Sequence, residues 1–148
     1  MLGLKIQLLN SRGLLINNMK IFGIGTDIVN VKRLERSLKK YNKNFKSKIF
    51  SKKEIVYCES KKNPNPYFAK RFAAKEALSK ALGTGIRKDI SFKNIEILND
   101  NYGKPYINLK GKTDNFLKRK IKNKKYHIFL SLSDDKPWAQ ATVIISYK

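Results

Sequence analysis

The sequence predicts an α+β fold in which an antiparallel sheet packs on one long central helix. Helical periodicity dominates the first half of the chain, whereas short strands separated by turn residues fill the second half. The chain has 148 residues, enough for one hydrophobic core but not for two. Helices gathered in one part of a chain and strands in the other are typical of the α+β class.

The central helix is predicted from Phe68 to its stop at Gly83. Apolar and small residues lie on both sides of it, so most of its surface favours burial. One stripe places Glu76 and Lys80 among the small and aromatic residues Ala69, Phe72 and Ala77, and the opposite side carries Ala74, Leu78, Ala81 and Leu82. Two interpretations remain open here. The pair is either an exposed i, i+4 pair worth about 0.2–0.5 kcal/mol, or it contains a buried carboxylate that needs a partner.

The other elements of the first half follow from their caps and patterns. A buried strand is predicted over residues 20–25, with Asp27 at its end, and Asn30 caps an amphipathic basic helix over 31–41. Ser51 and Glu54 form a capping-box pattern that opens a short helix through Cys58. A turn over 63–66 precedes the central helix.

Strands dominate the second half. Residues 95–98 and 106–109 are predicted strands around a hairpin turn over 99–105, and 112–122 form a short basic helix. Two longer strands over 126–133 and 138–147 flank a turn over 134–137. His127 lies on the first of these, where a lone histidine is expected to be structural.

Residues 1–18 are predicted to be an N-terminal extension or leader remnant before a single domain over 19–148, because Met19 precedes the first domain strand. Cys58 is the only cysteine, which excludes an intrachain disulfide and favours a reducing compartment. No apolar run reaches the roughly 18 residues of a membrane span. We therefore expect a cytoplasmic protein, with a plastid-like organelle (the apicoplast) as the alternative if the extension is a leader.

The formal net charge is +22, from 33 basic and 11 acidic residues, so a polyanionic partner is expected. Nucleic acid, an acidic membrane surface, a phosphorylated small molecule or an acidic protein would each satisfy this charge. The aromatic residues do not alternate with basic ones in a nucleic-acid-binding pattern, so no specific nucleic acid is expected.

Because the chain has only 11 acidic residues, the positions of these residues are informative. Asp27 ends a strand, Glu76 lies within the packed helix, and Asp134 and Asp135 stand at a strand end. If these sites converge, their hard oxygen ligands suit Mg²⁺ held together with substrate phosphates. Basic residues suited to phosphate contacts accompany them: Arg71, Lys75, Lys80 and Lys104.

Three motifs together resemble holo-acyl-carrier-protein synthase, the small trimeric class of the 4′-phosphopantetheinyl transferase family. They are Ile24-Gly25-Thr26-Asp27-Ile28-Val29, then Lys70-Arg71-Phe72-Ala73-Ala74-Lys75-Glu76-Ala77 with Ser79-Lys80-Ala81-Leu82-Gly83-Thr84-Gly85, and then Ser131-Leu132-Ser133-Asp134 followed by Ala139-Gln140-Ala141-Thr142-Val143. Their order and spacing match from about Met19 to the end of the chain.

The resemblance implies a fold, a reaction and a set of site residues. The family transfers 4′-phosphopantetheine from coenzyme A to a serine of apo-acyl carrier protein, with Mg²⁺, for fatty acid synthesis, and releases adenosine 3′,5′-bisphosphate. It implies Asp27 and Glu76 as metal ligands, and Asp27, Glu76, Lys80 and Asp134 as catalytic residues. Coenzyme A would be bound by Arg71, Lys80, Gly83 and Lys104.

The resemblance also implies a homotrimer with active sites between subunits. Arg33 and Lys40 match the helix that docks the acidic carrier, and Arg36 adds to the charge of that helix. Many members carry histidine at the Asp134 position, so Asp134 either reaches the metal through water, helps to accept the serine proton, or orients the substrate. A nucleic-acid-binding module and a non-catalytic relative are the alternative functions.

Overall fold

The computed structural model describes residues 19–87 and 89–148, so the predicted N-terminal extension lies outside the described residues. No helix in the described ranges is both long and apolar enough to cross a membrane. The elements follow one another in this order: β1 (Lys20–Asn30), α1 (Val31–Ile49), α2 (Lys52–Glu59), α3 (Asn65–Ala81), a 3₁₀ turn (Phe92–Asn94), β2 (Ile95–Asn99), β3 (Pro105–Leu109), α4 (Gly111–Lys120), β4 (Tyr126–Asp135) and β5 (Trp138–Tyr147).

Two antiparallel sheets surround the helices, which confirms the predicted α+β class. The larger sheet has the strand order β1-β5-β4, and the smaller one pairs β2 with β3. In the larger sheet β5 is central, so Ala141 pairs with Asp27 of β1 on one side and with Leu132 of β4 on the other. The register brings the end of β1, the end of β4 and the start of β5 to one edge of the sheet.

Helix α3 packs directly on β1, backbone against backbone. A Cβ atom added to Gly23 would lie 2.0 Å from the carbonyl oxygen of Ala81, and one added to Gly25 would lie 2.0 Å from that of Ala77. The two backbones can come this close only because the strand has a glycine, without a side chain, at each of the two contacts with an alanine of the helix. The buried face of β5 covers the same helix with small and branched side chains: Ala141, Val143 and Ile145.

A buried ion pair joins α2 and β2 to α3. Lys75 Nζ lies 2.9 Å from Glu54 Oε2, both side chains are fully buried, and the ammonium also donates to the carbonyl oxygens of Phe92 and Ile95. The other Glu54 oxygen accepts a hydrogen bond of 3.1 Å from the Ile97 N–H. The prediction that Lys75 contacts phosphate is therefore wrong, because its three donors are engaged inside the core.

Glu54 also forms the predicted capping box with Ser51 at the start of α2, which confirms that part of the sequence analysis. Burial lowers the pKa of Lys75, although the neighbouring Glu54 carboxylate opposes this effect. Glu54 thus offsets part of the cost of burying the Lys75 charge while it caps its own helix. The pair sets the position of the β2–β3 hairpin on α3.

Several elements extend beyond their predicted bounds. β1 continues through Asn30, since pairing with β5 persists to Trp138. α1 continues to Ile49 because Leu34, Leu38 and Ile49 bury one stripe against a second apolar cluster. α3 already begins at Asn65, with a proline in its first turn, where proline is tolerated.

We predict that Gly25→Ala destabilises the protein by about 1–3 kcal/mol or more, because the new methyl group meets the Ala77 backbone and one of the two elements must shift. Urea unfolding monitored by circular dichroism measures this difference. Thr26→Val is the matched control, since Thr26 is the next residue of β1 and is exposed. Equal stability of Gly25→Ala and wild type would contradict the close contact.

Candidate active site

Asp27, Glu76 and Lys80 meet where β1 crosses α3. Asp27 lies two residues after Gly25 on β1, and Glu76 and Lys80 lie next to the two alanines that contact the strand glycines. Lys80 Nζ donates to Asp27 Oδ1 at 2.8 Å, and the Lys80 side chain remains 54% exposed. The exposed ammonium therefore pairs with the strand carboxylate and not with Glu76 one turn earlier, so the simple i, i+4 pair is not what forms.

Glu76 is the electrostatically unsatisfied member of this group. Burial raises its pKa above the ordinary value, the negative charge of Asp27 raises it further, and Lys80 partly opposes both effects. Among the described residues, none donates a hydrogen bond to its carboxylate. Two carboxylates held together with one ammonium leave an excess of negative charge at this point.

This donor set fits a divalent cation. Ionised carboxylates of Asp27 and Glu76 are hard oxygen ligands, and a cation would remove the repulsion that raises the pKa of Glu76. No group of three His, Cys, Asp or Glu side chains able to hold a metal occurs in residues 19–87 and 89–148. Two carboxylates leave most of the coordination sphere to water and substrate, which is the usual arrangement for Mg²⁺.

A cleft of about 630 Å³ opens beside the carboxylates. Helix α1 forms one wall, and Arg33 and Arg36 line it together with Asp27 and Glu76. Lys40 lies further along α1 and is exposed, but it does not line the cleft. The structure therefore brings two of the three predicted partner-binding residues next to the carboxylate pair.

Arg71 occupies a separate pocket of about 280 Å³. Its guanidinium stacks on the Tyr57 ring at 4.2 Å and donates to Asn99 Oδ1 at 2.7 Å. The residue is 2% exposed, and its Nε atom is buried without a hydrogen-bond partner in the described structure. An unpartnered, buried guanidinium nitrogen is a feature that an anionic ligand would satisfy.

Gly83 and Lys104 both lie on turns. Gly83 ends α3 with a φ of +71°, the left-handed conformation that favours glycine, and the N–H groups of Thr84 and Gly85 turn back to the Ser79 carbonyl. Lys104 is exposed at the β2–β3 hairpin, where Asp100 accepts hydrogen bonds from its backbone N–H. The side chain of Lys104 is thus available to an anion.

Asp134 does not join the carboxylate pair within the chain. Its Oδ1 lies 2.7 Å from Lys70 Nζ on α3. The prediction that three acidic sites converge is therefore wrong for a single chain, because the side chain of Asp134 is directed to an earlier turn of α3. Among the acidic residues that the structure describes, Asp27 and Glu76 are the two brought together here.

Sequence reasoning missed several residues that complete these pockets. Tyr57 and Tyr106 surround Arg71, and Phe72 and Trp138 line the cleft. The contact between Tyr57 and Arg71 could not be predicted from the sequence, because it depends on how α2 packs on α3. Asn99 lies in the predicted hairpin turn over 99–105, and its position there does not predict the hydrogen bond that it accepts from Arg71.

We predict that Glu76→Gln raises the melting temperature at pH 7 in the presence of EDTA. The pKa of Glu76 is higher in the folded protein than the ordinary value of 4.5, so at a pH above both values the charged carboxylate opposes folding. This penalty is lost as the pH falls through the raised pKa toward 4.5. The gain should therefore shrink on acidification, as thermal melts at several pH values would show.

Glu35→Gln is the control of opposite sign. A hydrogen bond from Lys39 lowers the pKa of Glu35, so the charged form favours folding at pH 7 and its loss should lower the melting temperature. A melting temperature of Glu76→Gln below that of wild type at pH 7 would contradict the electrostatic description of the site.

Comparison with known proteins assigns the family. Residues 23–140 match the 4′-phosphopantetheinyl transferase superfamily. A holo-[acyl-carrier-protein] synthase from Pelagibacter ubique is 44% identical over 130 residues, which cover 88% of this chain and 100% of the relative. The crystal structure of holo-[acyl-carrier-protein] synthase from Neisseria meningitidis superposes with a TM-score of 0.76 at 38% identity, over 87% of this chain and 100% of that one.

The Helicobacter pylori holo-[acyl-carrier-protein] synthase, solved in complex with coenzyme A, superposes with a TM-score of 0.70 at 36% identity, over 82% of this chain and 98% of that one. These matches span nearly the whole described chain and include the strand, the helix and the turns that bear the site residues. The chain therefore belongs to the 4′-phosphopantetheinyl transferase superfamily, among its holo-[acyl-carrier-protein] synthases, and is a transferase.

Proposed function

We propose that this protein transfers the 4′-phosphopantetheine group of coenzyme A to a serine of apo-acyl carrier protein, in the service of fatty acid synthesis. The observation that supports this most strongly is the Asp27–Glu76 pair with Lys80, at the edge of a cleft walled by a basic helix. Coenzyme A is bound in the Helicobacter pylori relative, which has the same fold. The products are holo-acyl carrier protein and adenosine 3′,5′-bisphosphate.

Asp27 and Glu76 would hold Mg²⁺. The bound cation supplies charge neutralisation at the pyrophosphate, where negative charge develops during transfer. The donor chemistry supports this assignment, since a bound cation favours the ionised form of two carboxylates that lie close together. Mg²⁺ would also oppose the two effects that raise the pKa of Glu76, which are its burial and the charge of Asp27.

Lys80 would bind the pyrophosphate of coenzyme A. Its ammonium is anchored at Asp27 and is still half exposed, so it can donate at once to the carboxylate and to a phosphate oxygen. The serine oxygen attacks the phosphorus that bears the pantetheine arm, and the bond from that phosphorus to the bridging oxygen breaks. Charge that moves onto the leaving bisphosphate is thereby met by a fixed ammonium.

Arg71, Gly83 and Lys104 would contribute to the binding of coenzyme A. Arg71 is preorganised by Tyr57 and Asn99, and its buried Nε still lacks an acceptor, which suits a phosphate group. Gly83 allows close approach of a ligand to the end of α3, because nothing lies within 4 Å of where a side chain would begin. Lys104 adds an exposed positive charge from the hairpin.

The serine proton must pass to a base as the oxygen attacks. Asp134 is a candidate that would act from a neighbouring subunit, and a carboxylate of the Asp27–Glu76 pair is the other. Within its own chain, the Asp134 carboxylate is paired with Lys70 and not with a residue of the Asp27–Glu76 pair. We therefore propose that Asp134 acts at the site of a neighbouring subunit.

We also propose a homotrimer, and the outer face of the larger sheet supports it. Ile24, Ile28, Phe129 and Trp138 are between 47% and 61% exposed there, although aliphatic and aromatic residues of this size favour burial. Ile24 and Phe129 flank Ile144 in register, which makes a continuous apolar row. Such a face is typical of a subunit interface.

A cytoplasmic location is proposed on the strength of bacterial relatives such as those from Pelagibacter ubique and Neisseria meningitidis. The plastid-like alternative depended on residues 1–18 as a leader, and it gains no support from these relatives. The carrier proteins that the enzyme serves are expected to be acidic, given the charge of α1.

We predict that the protein, coenzyme A, Mg²⁺ and an apo-acyl carrier protein together give a carrier whose intact mass has gained one phosphopantetheine. EDTA should abolish the gain, because the metal ligands lose their cation. Glu76→Gln should lower the rate by about 10²-fold or more, since it keeps the shape but removes a charged ligand.

Light scattering is the control for assembly, and the Glu76→Gln protein should retain the mass of the wild-type trimer. Thermal melts exclude a folding defect. Undiminished transfer by Glu76→Gln, or transfer that is insensitive to EDTA, would contradict the metal assignment. No transfer to several carriers by a folded trimer would favour a non-catalytic relative instead.

We predict that Arg33→Glu raises KM for the carrier by about tenfold or more and leaves KM for coenzyme A nearly unchanged, because it reverses a charge on the docking wall of the cleft. Steady-state kinetics at two salt concentrations measure this, and the wild-type KM should rise with salt. Lys125→Glu makes the same charge change at an exposed position before β4. An equal rise in KM for the carrier in both variants would show that the net charge of the protein, and not the position of Arg33, determines carrier binding.

A further inference from the structure

A salt bridge outside the carboxylate pair joins α3 to the end of β4. Lys70 Nζ lies 2.7 Å from Asp134 Oδ1, and the side chains are only 19% and 36% exposed. Partial burial screens such a pair less than an exposed one, so its geometry is better maintained.

Lys70 is restrained from a second direction. Its ammonium lies 4.7 Å from the centroid of the Tyr67 ring, one turn earlier on α3. A cation over an aromatic face is attracted by the ring quadrupole. The ammonium is thus held between a ring and a carboxylate, and both contacts are made by the same chain.

Asp134 lies at a junction between the sheet and the docking helix. β4 ends at Asp135, and the following turn places the Pro137 carbonyl 2.8 Å from the N–H of Val31, the first residue of α1. Arg33, two residues further on, lines the cleft. Any movement of the β4–β5 turn would therefore move both Asp134 and the start of α1.

We propose that Lys70 is a positioning residue for the transfer reaction and acts through Asp134, by holding its carboxylate and the β4–β5 turn in place. This inference rests on the proposed function. We assign Lys70 a positioning role because its ammonium is already engaged by the Asp134 carboxylate and lies over the Tyr67 ring.

Steady-state kinetics of a double-mutant cycle test the inference. The proteins are wild type, Lys70→Met, Asp134→Asn and the double variant, with Lys70→Arg as the conservative rescue. Lys70→Met should lower kcat about tenfold or more, because a small displacement of an active group is costly. KM for coenzyme A should be unchanged, and Lys70→Arg should restore most of kcat.

The double variant should be no slower than Asp134→Asn alone, since Lys70 then has no carboxylate to hold. Lys118→Met is the matched control, because it breaks a pair of the same 2.7 Å length, with Asp114 on α4. It should leave kcat unchanged. Thermal melts of every variant separate two causes of a lower kcat. A destabilised variant would show a lower melting temperature, whereas a misplaced Asp134 carboxylate would lower kcat at an unchanged melting temperature.

Three results would overturn the inference while wild type remains active. Additive losses in the double variant would show that Lys70 acts independently of Asp134. A raised KM for coenzyme A with normal kcat in Lys70→Met would indicate direct contact with phosphate. An unchanged kcat in Lys70→Met would exclude positioning. Inactive wild-type protein would instead overturn the proposed function, and the inference with it.

Discussion

The site depends on the direct contact between the backbones of α3 and β1. Gly23 faces Ala81 and Gly25 faces Ala77, at distances that leave no room for a side chain on the strand. Asp27 follows Gly25 on the same face of β1, and Glu76 adjoins Ala77. Close packing of small residues therefore fixes two carboxylates next to each other, and their repulsion is the feature that a cation would relieve.

Three lysines at intervals of five residues tie α3 to the rest of the protein. Because five residues rotate a helix by about 140° beyond a full turn, Lys70, Lys75 and Lys80 point to three different sides. They pair with Asp134 of β4, with Glu54 of α2 and with Asp27 of β1. Lys75 is fully buried and stabilises the core, whereas Lys70 and Lys80 are partly exposed. The same residue type thus makes one ion pair in the core and two at the surface of one helix.

Stability and activity oppose each other at Glu76. Its burial and the neighbouring Asp27 disfavour its charge, yet that charge is what the proposed metal site requires. Arg71 shows a related compromise, since a buried Nε without an acceptor lowers stability until a ligand satisfies it. Both costs lie on α3, whose packing against β1 and β5 is dense enough to hold these groups in place.

The sequence alone determined the α+β class, the order of the elements and the motifs of a phosphopantetheinyl transferase, because caps, turns and periodicity are local. It also singled out Asp27, Glu76 and Lys80, which the structure brings together. Only the tertiary structure decided which acid each lysine meets. Lys75 lies inside the core with Glu54 and Asp134 pairs with Lys70, and neither result could be read from spacing. Such partners are far apart in the chain and meet only through the packing of helices on the sheet.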